Sequence, residues 1–395
     1  SSLNIHSEVY DTYHFIASKE DIQEYFTGKK QYILEFFYRK MRKKFNLLMS
    51  GEQPEGGKWN FDKNNRKKWK GSPVIPPVFY PNKKDLSALN KLFVEQGIKI
   101  IGKFDFNSFI YPLSREECLN QLNYFCENLL IHFGDYQDAL HSEELNLFHS
   151  RLSFGLNTKM ISPLEVVKKV ITYYHENQEE IEISQVEGFV RQIVGWREYM
   201  RGIYWTQMPE YKNKNVLDNH YPLPEFYWTA KTKMNCLRQC VKNSLDNAYA
   251  HHIQRLMILG NFALLAQLDP DQVDEWFLGI YADAIEWVQL PNTRGMSQWA
   301  DGGIVATKPY VSSASYINKM GNYCEGCNYD KKKRLGERAC PFNSLYWNFL
   351  DDKKKYFAKN NRMAMMIRLL EKIPNEELAE IKSRANKIIS DPDMF

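Results

Sequence analysis

The sequence predicts a mainly all-α protein, a large helical domain preceded by a linker and by the tail of an α/β domain. Three observations predict it. Eight segments from Lys84 onward carry apolar residues every three or four positions: 84–97, 114–133, 162–178, 184–204, 232–266, 270–288, 340–357 and 375–390. Two of them open on helix-start chemistry. Ser114-Arg-Glu-Glu117 is a capping box, and Ser162-Pro163 puts proline at the first helical position, where its missing N–H costs nothing. Strand-like alternation is confined to Leu3-Asn4-Ile5 and Thr12 to Ile16, and a lone strand is not stable by itself.

In chain order, residues 1–17 read as the remnant of an N-terminal α/β domain. Ser18 and Asp21 begin a helical pattern that runs to Phe45, with Phe36, Phe37, Tyr38 and Met41 as its packing side. Residues 50–85 are rich in Gly, Pro and Lys and read as a linker. Within it Trp59 and Trp69 lie among Lys58, Arg66, Lys67, Lys68 and Lys70, a pattern that suits a nucleic-acid backbone or, equally, a loop pinned to the body. Residues 18–113 thus form a helical and linker region, and 114–395 a helical domain without internal repeats.

The centre of that domain is Thr232 to Leu265. Leu237, Val241, Leu245, Ala248, His252, Leu256 and Leu259 form one stripe, no proline interrupts it, and Gly260 is its weak interior position. A continuous helix would hold Cys236 and His252 roughly 24 Å apart along its axis and roughly 160° apart around it. One end would serve a thiolate site and the other a polar pocket.

Composition narrows the class. Aromatic residues make up 14% of the 395 (24 Tyr, 23 Phe, 9 Trp), which suits a large core or a pocket for a flat ligand. A net charge of +4 does not demand nucleic acid, yet the basic residues cluster at 39–44, 66–70, 331–334 and 353–355, as solvated faces or phosphate contacts do. No run of eighteen apolar residues exists, so no membrane span is expected. No signal peptide is visible, and a chain starting at Ser1 without Met is expected to be processed or truncated. Seven cysteines, an odd number, point to a reducing cytoplasm.

Cys324-Glu-Gly-Cys327 followed by Cys340 is the strongest local signal. CxxC brings two sulfurs to one metal, a third follows thirteen positions later, and Cys236 or Cys240 supplies a fourth. Four thiolates suit structural zinc or an iron–sulfur cluster, and spacing does not choose between them. Cys118 and Cys126 read as core. His251 reads as an ordinary satisfied histidine, whereas His252 falls on the apolar stripe as a candidate acid or base. Trp196-Arg197-Glu198 and the segment Asp283 to Gln289 place charged groups among aromatics, as a polar planar ligand or interhelical ion pairs require.

Taken together, FFYRKMRKKFNLLM (36–49), GGKWNFDKNNR (56–66), HSRLSFGLN (149–157), GWREYMRG (195–202), the KMNCL…HHIQRLMILGNFALL stretch, DAIEWVQLPNTRGMSQWADGG (283–303) and KPYVSSASYI before the CxxC resemble the photolyase/cryptochrome superfamily, specifically its iron–sulfur bacterial branch of prokaryotic (6-4) photolyases. The resemblance spans nearly the whole chain. It implies FAD in a U-shaped pose, with Tyr136 and the turn Ser150-Arg151-Leu152-Ser153 on its diphosphate and adenosine side. Gln192, Trp196, Arg197, Tyr249, His252 and Arg255 would line the flavin, Asp283 would face the ring edge, and Gln289 would fall near N5, where relatives often carry a carboxylate. It makes Cys236, Cys324, Cys327 and Cys340 the ligands of a [4Fe–4S] cluster, and so selects Cys236 over Cys240.

The activity so implied is light-driven repair of UV-damaged DNA. Excited reduced FAD passes an electron to a (6-4) pyrimidine–pyrimidone lesion, which reaches it only when flipped out of the duplex. His252 matches the proton donor to the lesion, and Leu256, Tyr310 and Tyr316 match its pocket. Trp228 and Trp276 match a photoreduction relay, with Phe277 where tyrosine would be the better terminal donor. A monomer in a bacterial cytoplasm is expected, with the lumazine antenna absent from this chain. The alternatives are a cryptochrome-like photoreceptor with the same cofactors, and a zinc-stapled DNA-binding protein without flavin.

Overall fold

The computed structural model describes residues 8, 10–29, 31–81, 86–103, 109–358 and 360–395. The strand expected at Leu3-Asn4-Ile5 lies outside them. Thr12 to Ile16 form turns and bends rather than a strand. Burial explains the difference: Phe15 packs edge-on to Trp287 (5.1 Å), Ala17 N–H donates to Glu198 Oε2 (3.1 Å), and Arg201 donates to the Ala17 carbonyl. The segment is held by side chains and has no strand partner among the described residues.

From Lys19 onward helices dominate. The predicted run 18–45 is two helices, α1 (Lys19–Phe26), capped by a reciprocal Ser18/Asp21 box, and α2 (Leu34–Phe45), separated by a turn at Gly28 (φ 72°). A two-residue hairpin, β1 (Met49–Ser50) against β2 (Gln53–Pro54), opens the linker, and α3 (Ser87–Glu95) comes next. Both linker tryptophans pin loop to body. Trp69 is buried, donates to Pro73 O and meets His141 edge-on, while Trp59 lies between Arg39 and Arg42.

The helical domain runs α4 (Arg115–Tyr124), α5 (Leu130–Tyr136), α6 (Ser153–Asn157), α7 (Pro163–Glu176), α8 (Ile183–Val190), α9 (Glu198–Gln207), α10 (Phe226–Thr229), α11 (Asn235–Asn247), α12 (Asn261–Leu265), α13 (Pro270–Ile280), α14 (Glu286–Leu290), α15 (Ala314–Met320), α16 (Pro341–Asp352), α17 (Lys354–Phe357), α18 (Ala364–Leu370) and α19 (Asn375–Ser390). Ser114 and Ser162 cap α4 and α7 as expected. The core forms where α16 packs on α19, α5 on α8, and α2 on the turn after α8.

Two features depart from simple periodicity. Four stretches widen into π turns: Phe125–Leu129, Arg191–Arg197, Gln254–Gly260 and Pro291–Ser297. Such turns are rare and concentrate at functional sites. The stretch 232–266 is also not one helix. It stops at Asn247, Ala248 turns left-handed (φ 47°), and the helix restarts only after His251. Tertiary bonds replace the helical ones there: the Tyr111 hydroxyl lies 2.8 Å from the carbonyl oxygens of Asn247 and Ala248, and Ala282 N–H donates to Ala248 O (3.0 Å). The axial separation expected between Cys236 and His252 therefore does not apply. Among the described residues, no helix is long and apolar enough to cross a membrane.

Candidate cofactor cavity and cysteine loop

Three of the four widened turns meet around a cavity of about 320 Å³, within the size range of small-molecule sites. Arg191–Arg197 contributes Gln192, Trp196 and Arg197, Gln254–Gly260 contributes Arg255 and Leu256, and Pro291–Ser297 contributes Asn292, Thr293, Met296 and Ser297. The Ser150–Ser153 turn, Tyr249, His252, Asp283 and Gln289 line it as well. The predicted lining residues thus converge, with one exception. Tyr136 does not line the cavity, and its hydroxyl donates to Ser72 O (3.2 Å).

The charged residues of the cavity differ in how fully they are paired. Arg151 carries a positive φ of 53°, donates through one terminal nitrogen to Phe79 O, and pairs with no carboxylate among the described residues; its Nη1 is buried without a partner. Arg197 shares Glu198 with Arg201, leaves Nε buried and unpartnered, and has its pKa lowered to about 10 by burial. Surplus buried cation of this kind suits a phosphate. Arg255, by contrast, is paired: its Nη2 donates to both Asp283 oxygens (2.9 and 3.1 Å), and its guanidinium lies over the Tyr281 ring. Here side-chain amides supply acceptors. Asn157 Nδ2 donates to Asp283 O, Asn292 Nδ2 to Val288 O, and Gln289 Nε2 to Thr293 Oγ1, each at 2.8 Å. That chemistry fits a ring system with N–H groups joined to a diphosphate, as in FAD.

Three histidines complete the wall. His149 and His251, neither of them among the expected site residues, stack with ring centroids 3.7 Å apart and planes 7° apart. Neither nitrogen of His149 nor Nδ1 of His251 has a hydrogen-bond partner, so His251 is not the satisfied residue the sequence suggested. Burial lowers His149 to about 4 and, with His149 and His252 nearby, depresses His251 further. His252 is set deep, and burial with Arg255 lowers it to about 4, yet its ring is exposed at the cavity wall. Water reaching that face screens the charge, so the lowering is smaller while the cavity is open.

Tyr310 and Tyr316 do not line the cavity themselves. They share electrostatic surroundings with Asp138, which does, and with Asp62 and Arg66. Burial and Asp62 raise Asp138 to about 6. Trp276 is buried, edge-on to Tyr227 (5.1 Å) and 5.3 Å from Phe277, which lines the cavity; Trp228, next to Tyr227 in the chain, is 44% exposed.

The cysteine loop forms a second locus. Cys236 is raised by burial and by its neighbours Cys340, Cys240, Cys324 and Cys327; Cys340 is pushed up to about 12 by burial, with Cys324 and Cys327 beside it. Cys240 instead interacts with Tyr323. Among the described residues no three His, Cys, Asp or Glu side chains converge as a single metal ion requires.

A helical body enclosing a cavity lined by incompletely paired arginines, aromatic rings and side-chain amides has the chemistry to hold an anionic, ring-bearing ligand. Comparison with known proteins says which kind. The (6-4) photolyase of Agrobacterium fabrum (strain C58 / ATCC 33970) is 47% identical over 355 residues, covering 89% of this chain and 68% of that protein. A family model described as deoxyribodipyrimidine photo-lyase-related protein matches residues 1–109. Uncharacterized protein R855 of Acanthamoeba polyphaga mimivirus is 35% identical over 94 residues, 24% of this chain and 69% of its own. A crystal structure of a bacterial class III photolyase from Agrobacterium tumefaciens shares 15% identity and a TM-score of 0.48, with 80% of this chain and 62% of that one covered. The chain thus spans about two thirds of that (6-4) photolyase and somewhat less of the solved structure. It belongs to the photolyase/cryptochrome superfamily, in the branch of the bacterial (6-4) photolyases.

Proposed function

We propose that the chain repairs (6-4) pyrimidine–pyrimidone photoproducts in DNA, driven by light, with FAD held in the cavity. Bound, reduced FAD supplies the electron when excited. The protein supplies placement: Arg151 and Arg197 for the diphosphate, Ser150 and Ser153 beside them, and Trp196, Tyr249, Gln192, Asp283 and Gln289 around the ring. Arg66 and Arg362, the cations near Tyr310, offer charge to the phosphates of an incoming strand.

The observation that carries the reading is His252, an exposed residue at the cavity lining just before the widened turn that brings Arg255 and Leu256 to the same cavity. The phosphodiesters of a flipped nucleotide bring negative charge that raises its proton affinity, which an acid at this place needs. Tyr310 and Tyr316, grouped with Asp138 near that cavity, would contact the lesion. Trp276 and Trp228 would carry electrons inward from the surface.

For the cysteines we propose a [4Fe–4S] cluster on Cys236, Cys324, Cys327 and Cys340. The four soft donors are neighbours, and a four-iron cube takes one thiolate on each iron, so its ligands need not converge on one point. The test is illumination of reduced, flavin-loaded protein with (6-4) DNA. Repair by the native chain, lost in His252→Ala with flavin binding retained, is the expected result. Normal flavin binding without any repair by the native chain would overturn it in favour of a photoreceptor.

A further inference from the structure

We propose that Thr293 is a positioning residue that locks the Gln289 amide so that its carbonyl oxygen, and not its NH2, is presented to the cavity. The proposal rests on the flavin reading of that cavity and adds the polarity of one wall.

The hydrogen-bond pattern decides which way the amide points. Thr293 Oγ1 lies 2.7 Å from the backbone carbonyl of Gln289 and 2.8 Å from the Gln289 side chain. A carbonyl can only accept, so the threonine hydroxyl spends its one hydrogen there. Asp274, the other group facing that hydroxyl, is also an acceptor when ionised. Thr293 Oγ1 then has only lone pairs to offer the Gln289 side chain, and the atom beside it must be Nε2. Gln289 Oε1 accepts from no described residue although the side chain is 7% exposed and lines the cavity. Thr293 is itself 1% exposed, so water does not compete for the lock.

The neighbouring amide behaves alike. Asn292 Nδ2 donates to Val288 O, again a pure acceptor, and its oxygen too accepts from no described residue. Gln289, at the end of α14, and Asn292, in the widened turn that follows, thereby leave two amide oxygens without a protein donor at the cavity lining. Reduction of a flavin puts a proton on a ring nitrogen that then needs an acceptor, while the oxidised ring there needs a donor. A locked carbonyl favours the reduced, protonated form, and an amide free to turn over does not.

The experiment is spectroelectrochemical titration of the flavin-loaded protein and of Thr293→Val, an isosteric change that removes the lock. We expect Thr293→Val to favour the oxidised flavin by roughly threefold to tenfold, the weight of one hydrogen bond. Tenfold corresponds to a fall of about 59 mV for a one-electron couple. Thr293→Ser, which keeps the hydroxyl, should return the native potential. Gln289→Leu, which removes the amide altogether, should shift the potential in the same direction and serves if Thr293→Val does not fold. An unchanged potential in Thr293→Val, with a shifted one in Gln289→Leu, would overturn the lock and leave the flavin reading standing. Unchanged potentials in both would also overturn it. A native protein that takes up no flavin after anaerobic reconstitution would instead defeat the cavity reading itself.

Discussion

Lowering the pH should loosen this protein through His149, and its surroundings set the size of the effect. The ring is 6% exposed, stacked on His251, and has no hydrogen-bond partner for either nitrogen. Burial lowers its pKa from 6.5 to about 4, the carbonyls of Gln137 and Tyr136 opposing only partly. In the unfolded chain the ring returns to about 6.5. The folded state therefore binds fewer protons between these values, so the stability is fully present above pH 6.5 and is lost as the pH falls toward 4. Linkage gives a loss of about 2 kcal/mol by pH 5 and about 3 kcal/mol by pH 4 from this one ring. His149→Phe keeps the flat face against His251, removes the titration, and gives up only the weak attraction of the Gln137 and Tyr136 carbonyls. Urea denaturation monitored by far-UV circular dichroism at pH 7.5, 6 and 5 should show the native chain losing stability, and the variant losing about 2 kcal/mol less by pH 5. A variant whose stability falls with pH as steeply as the native chain's would refute the reasoning, because the protons would then be entering elsewhere.

Two further predictions concern the turns and the thiols. A Cβ at Gly260 would sit 1.9 Å from Ser297 Oγ and 2.8 Å from Arg255 O, so Gly260→Ala should push two widened turns apart and cost about 1–3 kcal/mol. Thermal unfolding should show the loss, equilibrium dialysis a weaker grip on FAD, and Ser297→Ala in the same chain a partial recovery of both. Cys324→Ala removes one of the four neighbouring thiols. Purified protein should lose its iron and much of its soluble yield, whereas full iron content by metal analysis would remove Cys324 from the ligand set.

What the sequence made legible divides by range. Helix α19 lies where its period put it, and the Ser114 and Ser162 caps act over three residues, so local pattern was enough for both. The CxxC pair was legible for the same reason, and most of the cavity residues came from the motif resemblance. The choice of Cys236 over Cys240 did not come from spacing. It came from the motif resemblance; in space Cys240 interacts with Tyr323, and Cys236 has Cys340, Cys240, Cys324 and Cys327 as neighbours. His149 and His251 were missed because each looks ordinary alone. The signal is their stacking across about a hundred residues of chain, which no periodicity carries.

The break at Ala248 shows what kind of information was missing and why it matters for the site. Apolar spacing says which side of a segment is buried, and it ran unbroken from Leu237 to Leu259 because both halves pack on the same core. It says nothing about where the backbone finds its hydrogen bonds. At Asn247 and Ala248 the carbonyls go to Tyr111 and Ala282, and Gln254 Oε1 takes the His251 N–H, so the chain leaves the helix without losing its partners. Irregular backbone over Ala248 to His251 then places Tyr249, Ala250, His251 and, at the restart of the helix, His252 in succession along the cavity, where a helix would have aimed them in four different directions. The widened turn immediately after them adds Arg255 and Leu256 to the same wall. This wall of the cavity is thus built where regular structure stops, mostly from residues that lie off the apolar stripe.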